Sequence, residues 1–84
     1  MTTVLPPGYF IRKELKARGW TQGDLATIMD RPIQCVNEIV AGKKKITAKT
    51  AVGLAAAFGT SAELWMGLEN AYRLAKCEER KDDQ

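Results

Sequence analysis

The sequence predicts an all-α domain of five short helices, and three observations support this prediction. Apolar residues recur at helical spacing in five separate stretches. Proline, threonine and glycine, which favour helix starts and ends, stand between those stretches. The chain of 84 residues has room for one core, which hides about 60 to 65% of the unfolded surface in a protein of this size. We therefore expect one domain over residues 1–84.

The first helix is predicted to open at the Pro-Pro-Gly of residues 6–8 and to run to about Arg18. Gly19 can end it in the left-handed conformation. Its inner side should consist of the apolar residues at helical spacing, which are Phe10, Ile11 and Leu15.

The second helix has a complete start signal. Thr21 can cap it, and Asp24 stands three residues later as a capping-box partner. The helix should end near Met29, because Asp30 tolerates a sharp turn better than a branched residue does. Its predicted inward stripe comprises Leu25, Ala26, Ile28 and Met29.

The third helix should run from about Pro32, which suits the first turn of a helix, to Ala41, with Gly42 as its stop. Helical spacing divides it into two faces. Its apolar face is Val36, Ile39 and Val40, and the other face holds Gln34, Asn37, Glu38 and Ala41. One face is expected to join the core, and the other is free to read a partner.

Thr47 is a good cap for a fourth helix over about residues 48–58, and Gly59 ends it. This helix should pack through Val52, Leu54, Ala55 and Phe58.

A second capping box, Thr60 with Glu63, should start a fifth helix over about residues 61–76. We expect residues 77–84 to be frayed or disordered, because they are charged and terminal. The residues at helical spacing on the fifth helix are Leu64, Trp65, Leu68, Tyr72 and Ala75.

The second and third helices carry a specific resemblance. The second helix begins TQ-x-x-LA, a short corner follows, and the third helix ends in Gly-Lys. These features resemble the helix-turn-helix, here about residues 21–41, of the phage-repressor (Xre/Cro) family of DNA-binding proteins. The longer run RPIQCVNEIVAGKKKITAKTAVGLAAAFGTSAELWMGLENAYRL is similar to the HigA family, the antidote proteins (antitoxins) of host-inhibition-of-growth addiction modules. The resemblance covers roughly residues 7–76.

In a helix-turn-helix, the second helix of the motif lies in the major groove with its N-terminal part against base edges. Gln34 and Asn37 are therefore the best candidates for reading bases, since both side chains can pair with adenine in bidentate fashion. Glu38 can accept from the amino group of cytosine, although a surface charge or an intrahelical partner is an equally good interpretation. Matching position to the family also places Ile33 near the groove, against a thymine methyl.

Three further residues are expected to bind phosphates. Gln22 matches the family position that holds a phosphate, at the start of the helix that crosses the DNA backbone. Lys43 and Lys44 belong to a basic loop just past the reading helix, where they would add affinity without sequence information.

The resemblance implies a two-fold homodimer on a palindromic operator, because one such helix reads only a few base pairs. It also implies a toxin partner, a HigB-like ribosome-dependent ribonuclease that cleaves messenger RNA. Candidates for the dimer or toxin interface are Trp65, Leu68 and Tyr72. An aromatic stripe at helical spacing is, however, more often intramolecular core.

Composition argues against an enzyme, a metal site or a membrane protein. The chain has no histidine, and the spacing of Cys35 and Cys77 matches no zinc motif. We expect no cofactor, and we expect two plain thiols in a reducing cytoplasm, since Met1 to Leu5 lacks the features of a secretory leader. Residues 1–76 hold 11 Lys and Arg against 6 Asp and Glu, a surplus that suits a nucleic-acid binder.

Three functions fit these observations. The leading interpretation is an antitoxin that binds DNA, neutralises a toxin and represses their shared operon. The second is a transcriptional repressor without a toxin, and the third is a protein-interaction module that has lost DNA binding.

Overall fold

The computed structural model describes the backbone of residues 4–82 and the side chains of residues 4–78. Within that range the fold is all-α, as predicted, and its five helices are α1 (Pro7–Arg18), α2 (Gln22–Met29), α3 (Ile33–Val40), α4 (Ala48–Phe58) and α5 (Ala62–Asp82). α2 and α3 form the helix-turn-helix pair. α1 and α4 support that pair from behind, and α5 packs on α4 and α1.

The boundaries of α1 and α2 confirm the predictions made from capping chemistry. Gly19 ends α1 in the left-handed conformation, with φ 69°. The Thr21 hydroxyl accepts from the Asp24 backbone N–H at 3.0 Å, and the Asp24 carboxylate accepts from the Thr21 N–H at 2.9 Å, so the capping box is complete. Asp30 ends α2 with φ 57° and makes the corner to α3. Local backbone chemistry thus defines this corner.

α3 is shorter by one residue at each end than the sequence predicted. Pro32 is its N-cap in an extended conformation, not its first helical residue, because φ −60° combines here with ψ 142°. Ala41 is the C-cap, and Gly42 follows with φ 82°. The glycine therefore still ends the helix, one residue after the cap.

Two predictions about α5 were wrong. Ser61 caps the helix, since its hydroxyl accepts from the Leu64 N–H at 3.1 Å. The Thr60 hydroxyl instead accepts from the indole N–H of Trp65 at 2.8 Å. The helix also continues through residues 77–82, which were expected to be frayed, because residues 68–82 contain no glycine or proline and are mostly good helix formers. Residues 83 and 84 lie outside the described range.

The core is formed where all five helices meet. Its buried members are Ile11, Leu15, Leu25, Ala26, Val36, Ile39, Val40, Ile46, Ala51, Leu54, Phe58 and Trp65. Two residues expected inside, Ile28 and Val52, are exposed. Each lies on the flank of its helix. The buried stripe contains Leu25 and Ala26 in α2, and Ala51 and Leu54 in α4, and it is narrower than the sequence pattern suggested.

α1 approaches the end of α3 very closely. A Cβ atom built at Gly8 would lie 2.1 Å from the carbonyl oxygen of Val40, a backbone atom that has no freedom to move aside. Gly8 is therefore required for this contact, which fixes the position of the C-terminal end of α3 and of the chain that follows it.

Candidate nucleic-acid interface

α3 presents a polar face to solvent and an apolar face to the core. Val36, Ile39 and Val40 are buried, as predicted. Gln34 and Asn37 are exposed on the opposite side, and Glu38 is half-buried at its edge. The three polar residues expected to read bases thus share one accessible surface, and Ile33, the fourth, extends it with a side chain that is 52% exposed.

The first turn of α2 lies beside the first turn of α3. A methyl group added at Gly23 would sit 3.5 Å from Cδ1 of Ile33. Gln22, the first residue of α2, is half-buried next to this contact. The structure therefore places Gln22, the expected phosphate-binding residue of α2, on the same side of the protein as the exposed face of α3.

Glu38 has a charged partner in the free protein. Its carboxylate lies 3.9 Å from Nζ of Lys44, and both side chains are exposed enough for water to screen the pair. The same ammonium group lies 4.0 Å from Sγ of Cys35. The Lys44 side chain therefore folds back along α3, and its charge lies at the edge of the exposed face of that helix.

The basic loop, residues 41–47, is held at both ends. At its start, the backbone N–H groups of Lys43 and Lys44 donate to the carbonyl oxygen of Glu38 at 2.9 and 3.2 Å. At its end, the Ile46 side chain is buried. The three lysines between these points are exposed.

Glu69 contacts the end of the basic loop, and sequence reasoning missed it. It lies on the buried side of α5 and is only 5% exposed. Its Oε1 accepts from the Ile46 N–H at 3.2 Å, and its Oε2 pairs with Arg73. Its position four residues after Trp65 and three before Tyr72, within an otherwise apolar stripe, was the available signal.

Of the three expected interface residues of α5, Trp65 is not on a free surface. Trp65 is 1% exposed and belongs to the core, where its ring lies 5.7 Å from that of Phe58. The tryptophan is therefore removed from the interface candidates, because its side chain offers no surface to a partner. Leu68 and Tyr72 are half-buried beside it.

Among the residues with described side chains, no group of three or more His, Cys, Asp or Glu residues is arranged to hold a metal ion. Both cysteines, Cys35 and Cys77, are free thiols. None of the helices within residues 4–82 combines the length and the apolar character needed to cross a bilayer.

Comparison with known proteins agrees with this geometry. Residues 11–65 match the family model described as helix-turn-helix, which includes both helices of the motif and their supports. The chain belongs to the Xre-type helix-turn-helix family. It is 37% identical over 79 residues to virulence-associated protein I of Dichelobacter nodosus, a match that spans 93% of this chain and 73% of that protein.

Two solved structures connect this family member to the HigA antidote proteins. An addiction module antidote protein of the HigA family from Coxiella burnetii is 30% identical, with a TM-score of 0.91 over 98% of this chain and 90% of that one. The Pseudomonas aeruginosa antitoxin HigA, solved with the higBA promoter, is 31% identical, with a TM-score of 0.90 over 98% and 90%. The resemblance identified in the sequence is thereby confirmed.

Proposed function

We propose that the protein is the DNA-binding antitoxin of a type II toxin–antitoxin module. It binds the operator of its own operon, represses that operon and neutralises a HigB-like toxin that cleaves messenger RNA. The observation that carries this function is the exposed polar face of α3 beside the basic loop, and the similar HigA of Pseudomonas aeruginosa has been solved with promoter DNA. This role requires no enzymatic activity of the chain itself, and it is exercised in the cytoplasm.

α3 reads bases through its outward side chains. Gln34 and Asn37 offer the paired donor and acceptor that adenine requires, and Ile33 offers an apolar contact for a thymine methyl. Glu38 can accept from cytosine only after its pairing with Lys44 breaks. Breaking this pair costs little free energy, because the two groups lie 3.9 Å apart and water screens them.

Phosphates are bound on either side of α3. Gln22 stands at the N-terminus of α2, where the helix dipole favours an anion. Lys43 and Lys44 supply positive charge from the basic loop. Because lysines that bind phosphates release counterions from the DNA, they make binding depend on salt and carry no sequence information.

The test of this arrangement is the double variant Lys43→Ala/Lys44→Ala, titrated against promoter DNA and against a random duplex at several salt concentrations. Affinity for both duplexes should fall by a similar factor, and the plot of log affinity against log salt should flatten by about 0.9 for each phosphate that is no longer neutralised. The control for net charge is Lys13→Ala/Lys16→Ala, which removes the same number of positive charges from exposed positions on α1. An unchanged slope in the double variant would mean that the basic loop lies away from DNA.

We also propose a homodimer formed by the exposed side of α5, opposite Trp65. Leu64, Gly67, Ala71 and Leu74 follow one another at spacings of three and four residues, and all four are exposed. Antiparallel pairing of two copies about the centre of this stripe sets Leu64 against Leu74 and brings Glu63 near Lys76 of the other copy. The apolar stripe and these opposite charges at its two ends favour a second copy as the occupant.

Sedimentation of Leu74→Glu tests this dimer. Introducing a charge into the stripe should give a folded monomer whose operator affinity falls, because the two half-sites are no longer bound together. The matched control is Val52→Glu, a similarly exposed apolar position on α4. Dimerisation that survives Leu74→Glu would exclude this side of α5.

The antitoxin role is tested by co-expression with the protein that the neighbouring gene encodes. Rescue of growth by the wild-type chain, and co-purification of the two proteins, are the expected results. If the neighbouring protein does not inhibit growth, or if rescue fails, the chain is a repressor without a toxin.

A further inference from the structure

A buried carboxylate connects α5 to the basic loop. Glu69 is 5% exposed, and its two oxygens are both engaged, one by the Ile46 N–H and the other by Arg73. Burying a carboxylate is costly unless it is hydrogen-bonded and paired. A buried carboxylate of α5 therefore accepts a hydrogen bond from a backbone N–H that lies 23 residues earlier in the chain.

This bond fixes the direction of the Ile46 N–H near the end of the basic loop. The loop starts at bonds from the Lys43 and Lys44 N–H groups to the Glu38 carbonyl, which belong to the end of α3. Without Glu69, the buried side chain of Ile46 would still hold the loop but its N–H would not be fixed in direction. The segment with the exposed lysines is thus attached to α3 at its start and to α5 at its end.

We propose that Glu69 is a positioning residue for DNA binding, which holds the basic loop so that Lys43 and Lys44 face phosphates. This inference rests on the proposed DNA binding and adds to it a residue that touches no DNA. Ordering a flexible loop on binding costs entropy. A loop that is already fixed by Glu69 has less freedom to lose, so its lysines bind phosphates more tightly.

The test uses Glu69→Leu in the full-length chain, measured by fluorescence anisotropy on promoter and random duplexes over a range of salt concentrations. Leucine removes the acceptor but fills the space, and Arg73, whose side chain is 33% exposed, can be solvated by water once its partner is gone. For each phosphate that the lysines no longer neutralise, we expect affinity for both duplexes to fall about fivefold at 0.15 M salt and the salt slope to fall by about 0.9.

Three further variants separate positioning from charge and from folding. Glu78→Leu removes an exposed acid from the same helix and changes net charge equally, so its slope should match the wild type. Glu69→Gln keeps a carbonyl oxygen for the Ile46 N–H and should restore the slope. In the Lys43→Ala/Lys44→Ala background, Glu69→Leu should reduce the slope no further.

A folded Glu69→Leu protein with the wild-type slope and affinity overturns the role of Glu69 and leaves the proposed function intact. If Glu69→Leu does not fold, Glu69→Leu/Arg73→Leu, which replaces both members of the ion pair, is measured in its place, and a wild-type slope in that variant would overturn the role of Glu69. A reduced slope in Glu69→Gln despite its retained acceptor would contradict positioning through Ile46. A wild-type protein that binds neither duplex would refute the proposed function, and the positioning role with it.

Discussion

α3 and α5 follow different rules of exposure. In α3, polarity predicts position: Val36 and Ile39 are buried, whereas Gln34 and Asn37 face solvent. In α5 the rule fails in both directions, since Glu69 is buried and Leu74 is 61% exposed. A helix of eight residues lies entirely on the body of the domain. The 21 residues of α5 span about 31 Å, and none of its residues from 70 to 78 is buried, so the C-terminal part of this helix extends past the core.

The difference shows which residues folding alone explains. Folding accounts for the apolar face of α3 and leaves its polar face available for DNA. In α5, a buried acid and exposed leucines are both unfavourable for an isolated monomer, and each has a proposed use outside the core, in loop positioning or in dimerisation. Residues whose burial contradicts their polarity are therefore the most informative targets for mutation.

The largest expected effect distinguishes the two sides of α5. Trp65→Ala should cost about 3 to 5 kcal/mol, because it empties a buried site. The whole stability of a domain of this size is only about 4 to 13 kcal/mol, so the variant should be largely unfolded by circular dichroism near physiological temperature. Leu74→Ala, on the exposed side, should melt within a few degrees of the wild type when both are monomeric at low protein concentration. Similar melting of the two variants would contradict the assignment of faces.

The second prediction compares two glycines. Gly8→Ala should destabilise the fold by about 1 to 3 kcal/mol, because its methyl group would meet the Val40 carbonyl at the end of α3. Gly67→Ala, in the middle of α5 with nothing within 4 Å, should instead stabilise the monomer by about 0.5 to 1 kcal/mol. Urea unfolding at low protein concentration measures both. A stabilising Gly8→Ala would mean that α1 and α3 are not in close contact.

The smallest expected effect concerns Glu38. Its pairing with Lys44 is exposed, so Glu38→Gln should change the free energy of unfolding by less than about 0.5 kcal/mol. If Glu38 reads cytosine, the same change should lower operator affinity by about 1 to 3 kcal/mol. Calorimetry and a DNA titration on one preparation separate these two roles, and a neutral result in both would leave Glu38 as a surface charge.

Features set by local backbone chemistry were predictable from the sequence. Gly19, Asp30 and Gly59 all adopt the left-handed conformation at the helix ends where they were expected. The division of α3 into two faces was predictable as well, because a short amphipathic helix has a single partner surface. The positions of Gln34 and Asn37 on the outer face follow from that division.

Features set by tertiary packing were not predictable. Thr60 and Ser61 can both cap a helix, and only the indole of Trp65, brought near by the fold, decides that Thr60 bonds to it instead. A prediction from hydrophobic periodicity places every acidic residue, including Glu69, on the surface. Its partner Ile46 lies 23 residues away in sequence, a pairing that periodicity within one helix cannot reveal.

The central claim, that the outer face of α3 reads DNA sequence, is tested most directly by Gln34→Ala/Asn37→Ala titrated against promoter and random duplexes at fixed salt. Each substitution should cost about 1 to 3 kcal/mol on the promoter and little on random DNA, with unfolding unchanged because both side chains are exposed. The double variant should therefore bind both duplexes almost alike. Retained preference for the promoter, or equal reductions in affinity on both duplexes, would contradict sequence reading by these residues.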